Sequence, residues 1–239
     1  MNAKSVCRIR KGRPGSAIRF AALEVRERIP TASKTTALET FCEESILPKD
    51  LRNRHFDLIA FAYDRLIGRP DTYGLAEMLG LPVQGLLLDA GGGTGRVSFP
   101  LRAFVGGVVV TDLSGQMLRY AKKKGGIHVM KARTEELPFS DGAFARVIVI
   151  DALHHFSRME ASIAELVRVL EPGGRILIEE PDLTLPAVKL VAVAERLLLM
   201  ESHFRTPEAI GAVMKTHGLS PAIRRSGRFR SWIAADKPA

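Results

Sequence analysis

An α/β fold on a parallel sheet is predicted by three features of this 239-residue chain. An apolar run, Leu86-Leu87-Leu88, stops at Asp89 and a loop of glycines. A second run, Val108-Val109-Val110-Thr111, stops at Asp112. Strand-like and helix-like segments then alternate to the end of the chain. Short apolar runs bounded by turn residues mark strands buried on both faces, and strands separated by helices imply parallel pairing through right-handed crossovers.

Taken in order, strands are expected near 86–90, 108–112, 128–131, 145–150 and 175–180, with helices near 95–103, 115–124 and 158–170. The clearest helix, Ser157 to Leu170, puts Ile163, Leu166, Val167 and Leu170 on one face, and Gly173-Gly174 is expected to end it. Upstream, Phe56 to Ile67 carries apolar residues at helical spacing. Asp71 or Thr72 is a candidate cap for a second helix running to Leu79, ended by Gly80-Leu81-Pro82. Downstream, Leu185 to Met200 reads as an apolar helix, and Thr206-Pro207-Glu208 is a cap and first turn for a helix through Thr216. Pro221 to Arg228 and Phe229 to Ala235 read as a closing hairpin. Arg224, Arg225, Arg228 and Arg230 on that hairpin read as a solvated face that discourages edge pairing.

The formal net charge of +9 is concentrated at one end. Lys4, Arg8, Arg10, Lys11, Arg13, Arg19, Arg26 and Arg28 face only Glu24 and Glu27, which leaves the rest of the chain close to neutral. Residues 1–48 are therefore a basic extension, expected to be flexible, and residues 49–239 the folded domain. Residues 1–30 admit three readings: a mobile tail or over-long start, an amphipathic helix near Ser16 to Ile29 touching an anionic membrane or RNA, or a transit peptide without a marked cleavage site. Cys7 and Cys42 form no C-x-x-C pair and no metal-spaced cluster, so a reducing, cytoplasmic setting without a structural metal is expected. The most apolar stretch, Leu183 to Met200, is interrupted by Pro186, Lys189, Glu195 and Arg196 and does not read as a membrane span.

A carboxylate ending a strand about twenty residues after a glycine loop is placed to accept hydrogen bonds from ribose hydroxyls, so the ends at Asp89 and Asp112 together make a nucleoside site. A dinucleotide fingerprint from Gly91 needs a third glycine at position 96, which is Arg96. The compact spacing Gly91-x-Gly93-x-Gly95 resembles instead the first motif of the class I S-adenosylmethionine-dependent methyltransferases. The phase-shifted Gly93-x-Gly95-x-x-Ser98 keeps a nicotinamide or flavin reading open, and a tight turn without a ligand is a third.

Further segments match the same family in order and spacing: Leu113-Ser114-Gly115-Gln116-Met117-Leu118, Thr134-Glu135-Glu136-Leu137-Pro138-Phe139, Val147-Ile148-Val149-Ile150-Asp151-Ala152-Leu153-His154-His155-Phe156, and Leu170-Glu171-Pro172-Gly173-Gly174 continuing to Pro181. They look like the successive motifs of the subgroup containing the ubiquinone and menaquinone biosynthesis C-methyltransferases, over about residues 55 to 236. The resemblance implies a Rossmann-like, seven-stranded, mostly parallel sheet with helices on both faces and an antiparallel last strand. It also implies cap helices within 55–79, a lid helix at 185–200, and S-adenosylmethionine as cofactor. By the same resemblance, Asp89 orients the methionine amino group and Asp112 takes the ribose hydroxyls. Leu113 packs on adenine, and Ala90, Gly91, Gly93, Gly95, Thr134, Glu135 and Asp151 complete the cofactor site. Relatives commonly carry an aspartate for the adenine amino group where this chain has Arg133, which has no acceptor to offer.

Methyl transfer from a sulfonium needs the acceptor held in line and dry, and such positioning supplies about 7–11 kcal/mol without a catalytic side chain. A base is needed where the acceptor must lose a proton; His154 and His155 are the candidates, and Tyr63, His154 and His203 are expected to line the acceptor pocket. The expected reaction is methylation of carbon or oxygen in a small, apolar or aromatic molecule. The alternatives are an RNA methyltransferase using the basic extension and a non-catalytic nucleoside-binding protein. Asp151-Ala152-Leu153-His154 stands where amino-directed nucleic-acid enzymes resemble Asn/Asp-Pro-Pro-Tyr, and the chain has no aromatic-rich RNA module, which argues against nucleic acid as the acceptor.

Overall fold

The computed structural model describes residues 70–182, 185, 203–226 and 229–239, together with two short strands, Cys7–Arg8 and Glu24–Val25. These two strands pair antiparallel. Glu24 and Val25 are thus extended within the span, residues 16–29, that one of the three readings of the extension made a helix. A helix of that length is marginal in water without a packing partner. The expected helix Phe56 to Ile67, the domain boundary near residue 48 and nearly all of the apolar stretch 185–200 lie outside the described residues.

Seven strands form one sheet: β1 (Leu86–Ala90), β2 (Gly107–Asp112), β3 (His128–Lys131), β4 (Phe144–Ile150), β5 (Leu170–Pro181), β6 (Ala222–Ser226) and β7 (Arg230–Asp236). Their order is β3-β2-β1-β4-β5-β7-β6. Strands β1 to β5 are parallel, and β7 runs antiparallel to β5 and β6. The expected doubly wound sheet with an antiparallel last strand is the one observed. The winding reverses between β1 and β4, and a ligand crevice opens beyond the carboxyl ends of strands at such a point.

Successive side chains on a strand point to opposite faces, so the continuous apolar runs feed two cores. Leu88, Val109, Val147, Val149, Ile176 and Ile178 pack with Ile163 and Leu166 of α4 (Met159–Val169) and with Ile210 and Met214 of α5 (Pro207–Thr216). On the other face Leu87, Val108, Val110, Ile148 and Leu177 meet α1 (Thr72–Met78), α2 (Ser98–Leu101) and α3 (Gly115–Lys123) through Leu75, Leu101, Leu118 and Ala121.

The two capping signals, at Asp71 and Thr206, hold, and Ser114 provides a third cap. Asp71 accepts from Gly74 N at 3.0 Å at the start of α1, Ser114 from Met117 N at 3.1 Å at α3, and Thr206 from Ala209 N at 3.2 Å at α5. Gly80, at φ +61, turns the chain out of α1. Two expectations shift. The helix read over 95–103 begins only at Ser98, because Gly95 sits at φ +68, which no helical residue adopts. Gly173-Gly174 does not stop a helix in a separate loop. α4 ends at Val169, and both glycines lie in an irregular start of β5 between the Phe144 and Arg146 pairings. Gly173 N donates to Lys237 O there, and a Cβ on Gly174 would lie 2.8 Å from Glu171 O.

Candidate active site

The loop after β1 hangs on β2. Gly91 N and Gly92 N both donate to Thr111 O, at 2.8 and 3.1 Å, and Gly93 N donates to Asp112 Oδ2 at 2.9 Å. Ser114 N donates to Asp112 Oδ1 at 2.7 Å, so the carboxylate is gripped from both sides and fixed at the crevice rim. Gly91 and Gly93 lie at φ +71 and +54, a region that glycine enters without a Cβ clash. A side chain on Gly91 would put its Cβ 2.8 Å from that of Ala152, so the glycine also lets the β1 and β4 loops touch.

Gly92, read from the sequence as a variable position of the motif, is under the tightest constraint. A Cβ there would sit 2.4 Å from the Asp89 carboxyl group. Asp89 itself is 1 % exposed, and its Oδ2 has no hydrogen-bond partner. Burial pushes its carboxyl up to about 6; the Asp112 charge adds to this, while Ser98, Arg96 and Lys124 oppose it. Asp89, Gly91, Gly92, Gly93, Arg96 and Asp151 line one recess. A buried acceptor lacking a donor fits a ligand that brings an ammonium group, and the neighbouring Asp112 fits hydroxyls.

The larger cavity beside this recess shares Gly91, Gly93 and Asp151 with it. Its lining adds Asp112, Leu113 and Met117 from the end of β2 and the start of α3, Ala132, Thr134 and Glu135 from the segment after β3, and Ala152, His155, Phe156 and Ser157 from the loop after β4. Segments spread from residue 91 to 157 are therefore brought together. Arg168 of α4 holds the Leu137–Asp141 segment that follows Thr134 and Glu135, donating to Leu137 O, Phe139 O and Asp141 Oδ1 at 2.7–3.0 Å. Ala90 is fully buried beneath the loop, and Gly95 packs near Ile127 and Ala121; neither is among the cavity-lining residues. Arg133, half exposed, is not itself among the lining residues, but its guanidinium lies 3.8 Å from Glu135 and donates to Ser157 Oγ at 3.3 Å, both of which line the cavity. Tyr63 lies outside the described residues.

The two adjacent histidines keep their ring centroids 4.0 Å apart but line different cavities. His155 lines the main cavity, whereas His154 is buried, stacks on Phe204 at 4.4 Å and lines a second cavity with His203. Glu180, which sequence reasoning passed over, accounts for this. Its Oε1 accepts from Ala152 N and Leu153 N at 3.0 and 2.7 Å, and its Oε2 meets His154 Nδ1 at 2.5 Å. One buried carboxylate thus ties down three consecutive residues of the loop that walls both cavities.

A second overlooked residue corrects the reading of the closing hairpin. Arg224 and Arg225 are exposed on the edge strand β6, but Arg230 lies on β7, which is flanked by β5 and β6. It donates to Glu179 Oε1 at 2.7 Å and Asp151 Oδ2 at 3.1 Å, and Trp232 Nε1 donates to the other Glu179 oxygen. Asp151 needs that hold, being a non-glycine residue at φ +58 at the end of β4. The visible signal was the pair Glu179-Glu180 ending an otherwise apolar strand.

A methyltransferase-domain family model matches residues 88–178. The ubiquinone/menaquinone biosynthesis C-methyltransferase of Blochmanniella floridana is 30% identical over 182 residues, covering 70% of this chain and 66% of that protein. The enzyme of the same description from Pseudomonas fluorescens is 33% identical over 114 residues, 44% of each chain. The chain thus spans from just under two thirds to under half the length of these curated relatives. Among solved structures, an S-adenosylmethionine-dependent methyltransferase from Aquifex aeolicus has a TM-score of 0.60 at 18% identity, covering 73% of this chain and 97% of that one. Phosphoethanolamine N-methyltransferase 2 of Haemonchus contortus, in complex with S-adenosylmethionine, has a TM-score of 0.66 at 18% identity, covering 82% and 61%. At these identities the structural likeness speaks for the fold.

Proposed function

We infer that the chain belongs to the class I S-adenosylmethionine-dependent methyltransferase family, and from that premise we propose that it transfers a methyl group to carbon or oxygen of a small, apolar or aromatic molecule. One observation carries the reading. The buried Asp89 and the backbone-gripped Asp112 stand at neighbouring strand ends, joined by a glycine loop whose amide at Gly93 bonds Asp112. A ligand with an ammonium group at one end and ribose hydroxyls toward the other matches that spacing of acceptors. The two curated relatives are named ubiquinone/menaquinone biosynthesis C-methyltransferases, which supports a carbon acceptor with aromatic character.

S-Adenosylmethionine supplies, when bound, a methyl group already activated on a sulfonium. The chain's own part is to bind, orient and exclude water. Asp112 is oriented by Gly93 N and Ser114 N to receive the ribose hydroxyls, and Asp89 provides the acceptor for the amino group. Thr134 and Glu135 line the side of the cavity assigned to adenine, a role that falls to them because Arg133 has no acceptor to offer and its guanidinium is engaged with Glu135 and Ser157. His155, in the same cavity as Asp112, is the better-placed proton acceptor, while His154 serves through the loop that Glu180 holds.

Isothermal calorimetry with S-adenosylhomocysteine tests the reading. Asp112→Ala is expected to weaken binding at least about tenfold, the loss of charge-assisted bonds worth more than 1.4 kcal/mol. Unchanged affinity, or tight binding of a nicotinamide dinucleotide instead, refutes it.

A further inference from the structure

Asp151 stands where the two spaces of the site meet. The recess beneath Asp89 and the cavity holding Asp112 have three lining residues in common, Gly91, Gly93 and Asp151, and of these Asp151 alone carries a side chain. A ligand that sets an amino group at Asp89 and ribose hydroxyls at Asp112 passes its middle through that junction. In S-adenosylmethionine the middle is the sulfonium.

The other charged or titratable groups lining the two spaces are Asp89, Asp112, Glu135, Arg96 and His155. Asp112 takes the amides of Gly93 and Ser114, and Glu135 takes those of Ser157 and Arg158. Asp89 and Arg96 line the recess and not the cavity, whereas His155 lines the cavity and not the recess. Asp151 is therefore the carboxylate at the junction.

Two separate devices hold it. Its backbone is tied to β5, Asp151 N donating to Glu179 O at 2.8 Å and Ala152 N to Glu180 Oε1 at 3.0 Å. Its carboxylate is directed from β7, where Arg230 donates to Asp151 Oδ2 at 3.1 Å and to Glu179 Oε1 at 2.7 Å, and Trp232 Nε1 takes the other Glu179 oxygen. Two carboxylates share one guanidinium, so the group keeps one negative charge in excess. Glu179 is buried, and Asp151 is the member that lines the site. Arg230 thus orients the acid without cancelling the charge of the group. In a part-buried crevice that charge attracts a cation more strongly than it would in water, and it has no charge to act on in a thioether.

Given the methyl-donor reading on which this rests, we propose that Asp151, oriented by Arg230 as a positioning residue, senses the charge of the sulfonium and raises affinity for the methyl donor relative to the neutral thioether left after transfer.

S-Adenosylmethionine and S-adenosylhomocysteine differ by one methyl group and one positive charge, so the ratio of their dissociation constants, measured by calorimetry on the full chain, reads the effect. Asp151→Asn keeps a residue type that tolerates the left-handed conformation, and is expected to weaken S-adenosylmethionine about tenfold and S-adenosylhomocysteine less than about threefold. Asp151→Gly, which removes the carboxylate at a φ that glycine adopts freely, is expected to give the same ratio and decides the matter if the asparagine variant does not fold. Arg230→Met, or Arg230→Gln if the methionine variant does not fold, is expected to lose about fivefold of the wild-type ratio, and Arg230→Lys to return to within about twofold of it. Ratios within about twofold of wild type in the Asp151 variants overturn the charge sensing. A ratio unchanged or raised when Arg230 is neutralised, or no recovery with lysine, overturns the positioning role. Wild type that binds neither ligand overturns the methyl-donor reading itself, and this inference with it.

Discussion

Replacing Asp89 by asparagine isolates what burying a carboxylate beneath the glycine loop costs the fold. Burial lifts the carboxyl from 3.8 to about 6. Because the folded-state value is raised, the native protein keeps a proton that the unfolded chain has released between those values. Stability therefore falls as pH rises through that window: the penalty is absent below about pH 4 and complete above about pH 6. At about 1.4 kcal/mol per unit, the full penalty is about 3 kcal/mol, of which roughly 2 kcal/mol separates pH 4 from pH 7. Urea unfolding of wild type and Asp89→Asn at both pH values gives the number as a difference of differences, so any constant cost of the amide cancels. The variant is expected to gain about 2 kcal/mol on wild type between pH 4 and pH 7. An equal offset at both values refutes the raised, buried carboxyl. The same ionisation governs cofactor capture. An ammonium group needs the charged form, so S-adenosylhomocysteine affinity should rise about tenfold from pH 5 to pH 7 in wild type and stay flat in Asp89→Asn.

Gly92→Ala introduces a Cβ 2.4 Å from the Asp89 carboxyl at a residue whose φ is not in the left-handed region, so it tests close approach alone. It should cost about 1–3 kcal/mol by thermal unfolding and weaken S-adenosylhomocysteine binding; wild-type behaviour in both removes the constraint assigned to that position. His155→Ala should lower kcat about a hundredfold for an acceptor that must lose a proton, with cofactor affinity nearly unchanged, and near-normal turnover would leave positioning as the whole mechanism. Leu166→Ala, at a fully buried site on α4, should cost about 2–5 kcal/mol in chemical unfolding. A loss below about 0.5 kcal/mol would contradict the packing described for that face.

Periodicity and punctuation alone anticipated, to within a residue or two, the strands Leu86–Ala90, Gly107–Asp112 and His128–Lys131 and the helix Met159–Val169, and also the cap at Thr206. These signals are local: an apolar run, a glycine or a capping hydroxyl acts within one turn or strand of itself. The crevice was legible for a related reason, since a parallel sheet places every strand's end carboxylate on the same edge, and Asp89, Asp112 and Asp151 are all such residues. Which neighbour each side chain would meet was not legible. Arg230 looked like one more surface cation until β7 was inserted beside β5, where it reaches Glu179 and Asp151 from 51 and 79 residues away. His154 and His155 looked interchangeable until Glu180, 26 residues downstream, bonded the first, which lines the second cavity, while the second lines the cavity that also holds Asp112. Glycine spacing in the same way hid Gly92, whose constraint comes from a folded-back Asp89 and not from backbone handedness. Local patterns thus specify which elements form and where a ligand edge lies. The partners of buried charges depend on strand order and register, and so were decided only when the sheet closed in three dimensions.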